Sequence, residues 1–356
     1  MGTQKDFYIA GIGASAGGLE AIESFLSGVP LVSGIAYVIV QHLSPDYKSL
    51  MPEILIKRTS LPVHTAEDGM QVEPDNIYLI PRKMNMKIFR SKLHLTEKTS
   101  SQGLNLPIDI FFHSLAEDFE DKAIGIILSG TGSDGSRGIR QIKENGGIVL
   151  VQDPDSSKFD GMPKSAITTG TVDFILPPHE MPEKILSYVK HPYIAGKSQN
   201  GENAIVPEDY LAKIILLIKE NSGLDFTYYK DSTISRRIER RMSINQVEQL
   251  KDYLQYLYTS KNEQRTLYKE LLIGVTRFFR DPEAFQIIRD EIIPEIFKGK
   301  SGSDEIRVWV SACSTGEEAY SVAILFKEYL TENHLNNEVK IFRSEERRVG
   351  KECRSR

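Results

Sequence analysis

Cysteine is scarce in this chain, with Cys313 and Cys353 the only two among 356 residues. That excludes a disulfide framework and predicts a reducing, cytoplasmic setting. No run of about 18 uncharged apolar residues occurs, so no membrane insertion is expected. The first residues, MGTQKDFYIAGIG, lack the charged-then-apolar layout of a signal peptide. An excess of one charge is missing too. The formal net charge is −5, too mild to point to nucleic acid as a partner. What remains is an ordinary globular composition, 40% apolar and 26% charged, in a length that suits two domains and part of a third.

Strand and helix signals alternate over residues 7–192, the pattern of an α/β fold with a mostly parallel sheet flanked by helices. Phe7–Ile12, Ile35–Val40, Ala123–Leu128 and Ile148–Val151 read as buried strands. Helical spacing marks Ala16–Leu26, Pro107–Phe119 (with Asp109 an early-turn acid) and Ser136–Asn145, which ends at Gly146-Gly147. Val63–Leu95, broken by Asp-Gly, Pro and Asn, suggests inserted hairpins. Residues 193–206 gather Gly, Asn and Ser and read as a linker. Beyond it the spacing predicts four helices, Glu208–Asn221, Ser232–Met242, Gln246–Thr259 and Glu263–Leu272. A strand, a small-residue turn and a helix then begin at Glu305, and Val339–Phe342 starts another strand. The last fourteen residues, RSEERRVGKECRSR, show no apolar periodicity and resemble a translated sequencing adapter.

The first candidate site is Gly13-x-Ser15-x-Gly17, set between a predicted strand and helix. Such a turn lifts a serine hydroxyl to the carboxyl end of a sheet, beside the free N–H groups of a helix start. On the turn alone, three readings stand equal: a serine nucleophile, a dinucleotide cradle and a plain tight turn. The dinucleotide reading needs an acid after the second strand, where this chain has Gln41-His42. His42 would share the sheet edge of Ser15, and so would Asp134 in Ser129-Gly130-Thr131-Gly132-Ser133-Asp134-Gly135. Ser, His and Asp at three parallel strand ends meet the demand of a nucleophile, a general base and an orienting acid. Taken singly, His42 reads as structural and Asp134 as a helix cap. Asp153 and Asp155 are competing acids in a loop that looks like a connection.

The runs GIGASAGGLEAIESFLSGVP, VIVQHLSP, GIILSGTGSDGSRGIRQIKENGG and QDPDSSKFDGMPKSAI, in this order, strongly resemble the catalytic domain of the chemotaxis protein-glutamate methylesterases (CheB). The resemblance implies that Ser15 is the nucleophile, His42 the base and Asp134 its orienting acid. It implies hydrolysis of glutamate γ-methyl esters, and deamidation of glutamines, on methyl-accepting chemotaxis receptors, with no metal or cofactor. Thr131 matches the family position whose backbone N–H holds the oxyanion, where stand-alone members commonly carry Met.

Arg236, Arg237, Arg240 and Arg241 share one predicted helical face. As a pattern this is a solvated face or a dock for an acidic helix. On that second reading, the chain could be a catalytically silent receptor-binding module. LLIGVTRFFR (271–280) and SACSTGEEAYS (311–321) resemble the chemotaxis receptor methyltransferases (CheR), a helical domain followed by the start of a Rossmann-like S-adenosylmethionine domain. That resemblance implies cofactor contacts from Thr276, Arg280 and Glu317 or Glu318, while Gly274 stands where the family usually has Asn. The expected organisation is an esterase domain over 1–192, a linker over 193–206 and a helical domain over 207–282. An incomplete cofactor domain follows over 283–342, inactive in methyl transfer, and an adapter-like tail over 343–356.

Overall fold

The computed structural model describes residues 7–41, 51–98, 105–195, 206–273, 278–302, 304–313 and 316–344. Two compact units divide after Ile273. No helix among the described residues is long and apolar enough to cross a membrane.

The first unit is built on a seven-stranded sheet in the order β3-β4-β2-β1-β7-β8-β9. Its strands are β1 (Tyr8–Ala14), β2 (Ile35–Gln41), β3 (Val63–Thr65), β4 (Ile77–Leu79), β7 (Ala123–Ile127), β8 (Ile148–Gln152) and β9 (Phe174–Leu176). Every pairing in it is parallel. The central strands are apolar on both faces because both faces are covered. Helices α3 (Pro107–Phe119) and α4 (Gly138–Glu144) lay Phe111, Phe112, Leu115, Ile139 and Ile142 on one side, with Ile9 of β1. On the other, α1 (Gly18–Ser27) and α6 (Met181–Val189) bring Ile22, Phe25, Ile185 and Tyr188 against Ala10 and Ile12.

The segment 63–95 differs from the expected hairpins. Its first half supplies two parallel strands, and one antiparallel hairpin remains, β5 (Met84–Phe89) with β6 (Lys92–Glu97). Ile77, Tyr78 and Leu79 are all buried, so β4 is an inner strand flanked by β2 and β3 rather than an exposed arm.

Four helices follow, α8 (Glu208–Ser222), α9 (Asp231–Ile244), α10 (Leu250–Thr259) and α11 (Lys261–Leu271), around a core that includes Ile214, Ile234, Ile238, Tyr253 and Leu267. The third begins later than the periodicity suggests, because Gln246 adopts φ 55° and turns the chain. This helical module belongs to the same compact unit as the sheet, and α9 is the reason.

The arginine face of α9 is neither solvated nor open to a partner. Arg237, Arg240 and Arg241 are buried, and Arg236 is half-buried. Arg240 donates to Asp173 at 2.6 Å, Glu270 at 2.8 Å, and the carbonyls of Gly147 and Gly146 at 2.8 and 3.2 Å. Lys143 of α4 donates to the same two carboxylates, at 2.6 and 2.9 Å. Arg241 is bidentate on Glu263 and also reaches Glu270. Burial opposes charge on Asp173 and Glu270, but the surrounding cations, Arg240 foremost, outweigh it and hold both carboxyls below their usual range. The cluster joins α9 and α11 to α4 and to the chain entering β9, while Ile244 enters the apolar layer beneath the sheet.

The second unit has two parallel strands, β10 (Ile306–Ser311) and β11 (Val339–Ser344), and the helix α14 (Glu317–Glu332); the short helices α12 (Pro282–Ile287) and α13 (Ile293–Phe297) precede them. Its boundary lies before the expected residue 283. The reason is local: Phe279 packs on Phe285, and its N–H donates to Ser321 Oγ at 3.0 Å. Strand β11 also includes Arg343 and Ser344, and residues 345–356 lie outside the described residues.

Candidate active site

The strand order runs outward in opposite directions from β1 and β7, the switch point where open α/β sheets form a crevice at their carboxyl edge. Ser15 follows β1 there, half-buried, and Gly17 caps α1 at φ 69°. A side chain at Gly17 would be strained by its backbone and would place a Cβ 2.8 Å from Ser129 Oγ. The Ser15 carbonyl accepts from Gly18 N at 2.9 Å and from Gln41 Nε2 at 3.4 Å, while Ser15 N donates to Ser129 O at 3.0 Å. Neither the Ala16 nor the Thr131 backbone N–H has a hydrogen-bond acceptor among the described residues. Sequence reasoning missed Ala16, although the residue after a turn-borne serine is the usual donor to its oxyanion.

Asp134 is in the loop after β7, the strand beside β1, and is buried. Its carboxylate accepts from Ile108 N at 3.0 Å and from Asp109 N and Gly135 N at 2.9 Å. It is therefore a helix cap, as its residue type suggests, but the helix is α3, from a distant segment. Asp109 in turn accepts from Arg137 N and Gly138 N at 3.0 and 2.8 Å, so the two acids cross-cap α3 and α4. Burial pushes the Asp109 carboxyl above its usual range, against the pull of the Gly138 N–H. Gly130 has no room for a side chain, since a Cβ there would lie 2.2 Å from Met162 Sδ and 2.9 Å from Ser15 Cβ. Asp153 accepts from Asp155 N within its own loop, the local role expected of a connection. His42 lies outside the described residues; Gln41, which precedes it, is paired with Ala14, which precedes Ser15. No group of three or more potential metal ligands occurs among the described residues.

A family model described as CheB methylesterase matches residues 10–185. A putative protein-glutamate methylesterase/protein-glutamine glutaminase of Leptospira interrogans is 36% identical over 166 residues, covering 46% of this chain and 86% of that protein. The chain belongs to the CheB methylesterase family. The Thermotoga maritima protein-glutamate methylesterase/protein-glutamine glutaminase is 31% identical over 185 residues, 50% of this chain and 53% of that protein. The solved CheB methylesterase catalytic domain from Thermotoga maritima aligns at 31% identity with a TM-score of 0.47, covering 51% of this chain and 97% of that one.

CheB is fused here to CheR modules. The all-alpha domain of CheR methyltransferases matches residues 209–272, and their SAM binding domain matches 274–345. An uncharacterized 104.1 kDa protein of Rhodobacter capsulatus is 36% identical over 296 residues, covering 78% of this chain but only 31% of that protein.

Among the described residues, one side chain stands in the way of a cofactor at the turn before α14. The turn before α14 contains Gly316 at φ 111°, which would let a cofactor approach the backbone. The Arg343 side chain fills that approach, its Nη1 2.0 Å from where a Cβ on Gly316 would stand, and its guanidinium lies over the Tyr320 ring at 5.8 Å. Glu317 and Glu318 open α14, half-buried and exposed, and Arg280 is exposed. Thr276 lies outside the described residues.

Proposed function

We propose that the chain hydrolyses glutamate γ-methyl esters, and deamidates glutamines, on cytoplasmic helices of methyl-accepting chemotaxis receptors. The observation that carries this reading is a half-buried serine on a glycine turn after β1 and, after the neighbouring parallel strand β7, an aspartate fixed by three backbone donors. Membership of the CheB family supports the substrate class.

In this mechanism Ser15 Oγ attacks the ester carbonyl while His42 takes its proton, and Asp134 orients the imidazole. The N–H groups of Ala16 and Thr131 receive the oxyanion. The tetrahedral adduct collapses to a glutamyl-serine ester, with His42 returning the proton to the departing methoxide, so methanol leaves. Water activated by His42 then releases the glutamate and regenerates Ser15. No metal or cofactor takes part. Methyl transfer is not part of the proposal, because Arg343 lies over the Gly316 turn.

The silent docking-module reading loses its main surface, since Arg237, Arg240 and Arg241 are buried within the same unit, the last two against its acids. The test is methanol release from a glutamyl-methylated receptor fragment, in which Ser15→Ala should abolish the release while the protein stays folded.

A further inference from the structure

A second serine stands beside Ser15, and its contacts give it a different job. Ser129 is 1% exposed, at the end of the strand neighbouring β1. Its hydroxyl oxygen accepts from Phe159 N at 3.0 Å and lies 3.0 Å from Ala16 O and 3.2 Å from Phe159 O. A hydroxyl has one proton to give. Phe159 O already accepts from Gly130 N at 2.9 Å, so the Ser129 proton goes to the shorter contact, Ala16 O. The hydroxyl is then used as both donor and acceptor, and burial keeps substrate away from it. Ser129 is no nucleophile.

Its backbone is held just as firmly. Ser129 N donates to Gln152 Oε1 at 2.8 Å, and Gln152, 2% exposed, donates from Nε2 to Ser156 O at 3.0 Å. Ser129 O accepts from Ser15 N. One residue therefore grips the nucleophile turn at two points, Ser15 N and Ala16 O. Between those points lies a single peptide unit, Ser15–Ala16. A trans peptide points its N–H opposite its C=O. Because Ser15 O is tied to Gly18 N and Gln41 Nε2, the Ala16 N–H must face the other way.

We infer that Ser129 is a positioning residue for the ester hydrolysis: its hydroxyl fixes the Ser15–Ala16 peptide, setting the nucleophile and the Ala16 N–H against the reacting carbonyl. This rests on the reading of Ser15 as nucleophile. Losing the grip lets the turn shift, and a displacement of about 1 Å costs about a hundredfold in rate.

The test uses the full chain and the Ser129→Ala, Ser129→Cys and Ser129→Thr variants, each checked for folding by thermal unfolding. Two readouts apply: the rate at which a fluorophosphonate labels Ser15, and kcat and KM for methanol release across pH. Ser129→Ala should lower both the labelling rate and kcat by roughly ten- to a hundredfold, with KM and the shape of the pH profile unchanged. Ser129→Thr, which keeps the hydroxyl, should recover most of the rate. If the alanine variant does not fold, Ser129→Cys, which nearly preserves volume but donates weakly, should show the same direction of loss. Wild-type labelling at Ser15 with unaltered rates in folded Ser129→Ala or Ser129→Cys would overturn the inference alone. Absence of Ser15 labelling and methanol release in the wild type would overturn the function and the inference together.

Discussion

Replacing Arg240 with methionine should loosen the helical module from the sheet. Methionine keeps most of the apolar stem and removes the guanidinium with its four contacts, to Asp173, Glu270, Gly146 O and Gly147 O. Neither acid is left wholly bare: Lys143 still reaches both, Arg241 still reaches Glu270, and Val149 N still donates to Asp173. The two glycine carbonyls lose their side-chain donor. Removing one partner from a buried pair costs about 3–5 kcal/mol, and the residual partners put Arg240→Met near the lower end, about 3 kcal/mol, or roughly 150-fold in the unfolding equilibrium. Urea unfolding followed by far-UV circular dichroism measures the loss, and hydrogen exchange should show reduced protection in α9 and β9. Because the pairs are buried, raising the salt from low to molar concentration should leave the difference nearly unchanged. A change below about 0.5 kcal/mol, the size typical of exposed sites, would refute the burial of this cluster.

The same cluster sets an acid limit. Asp173 and Glu270 are held below their usual range, so the unfolded chain binds more protons than the folded one as the pH falls. The stability they contribute is complete above the ordinary carboxylate range and is lost as the pH falls through their lowered values. Urea midpoints should therefore drop on acidification, and Asp173→Asn should flatten that dependence. Gly17→Ala should destabilise by about 1–3 kcal/mol, the cost of a left-handed non-glycine residue, and should slow ester hydrolysis; a melting curve and a kcat measurement check both. Asp134→Asn should lower kcat by about 10⁴-fold, as expected for an orienting acid, and should reduce stability modestly because an amide group cannot accept at both ends of the α3 cap.

Much of the first unit was legible in local pattern. Buried β-branched runs marked β1, β2, β7 and β8, and the glycine turn after β1 put Ser15 at a sheet edge, because strand ends and turns are written in neighbouring residues. Asp134 could be placed at the same edge for that reason. Its cap on α3 could not, since Ile108 and Asp109 reach it only through tertiary folding. The arginines show the limit most clearly. A helical repeat says which residues share a face but not what lies opposite, and the acids opposite come from the chain entering β9 and from α11. Ser129 hid for the same reason: its partners Ala16, Gln152 and Phe159 come from separate segments, Gln152 from the end of β8.

The central claim is tested most directly by measuring methanol released from a glutamyl-methylated receptor fragment by the wild-type chain and by Ser15→Ala at equal concentration. The account predicts release by the wild type and none above background by the folded variant. Equal release by both, or none by either folded protein, would contradict it.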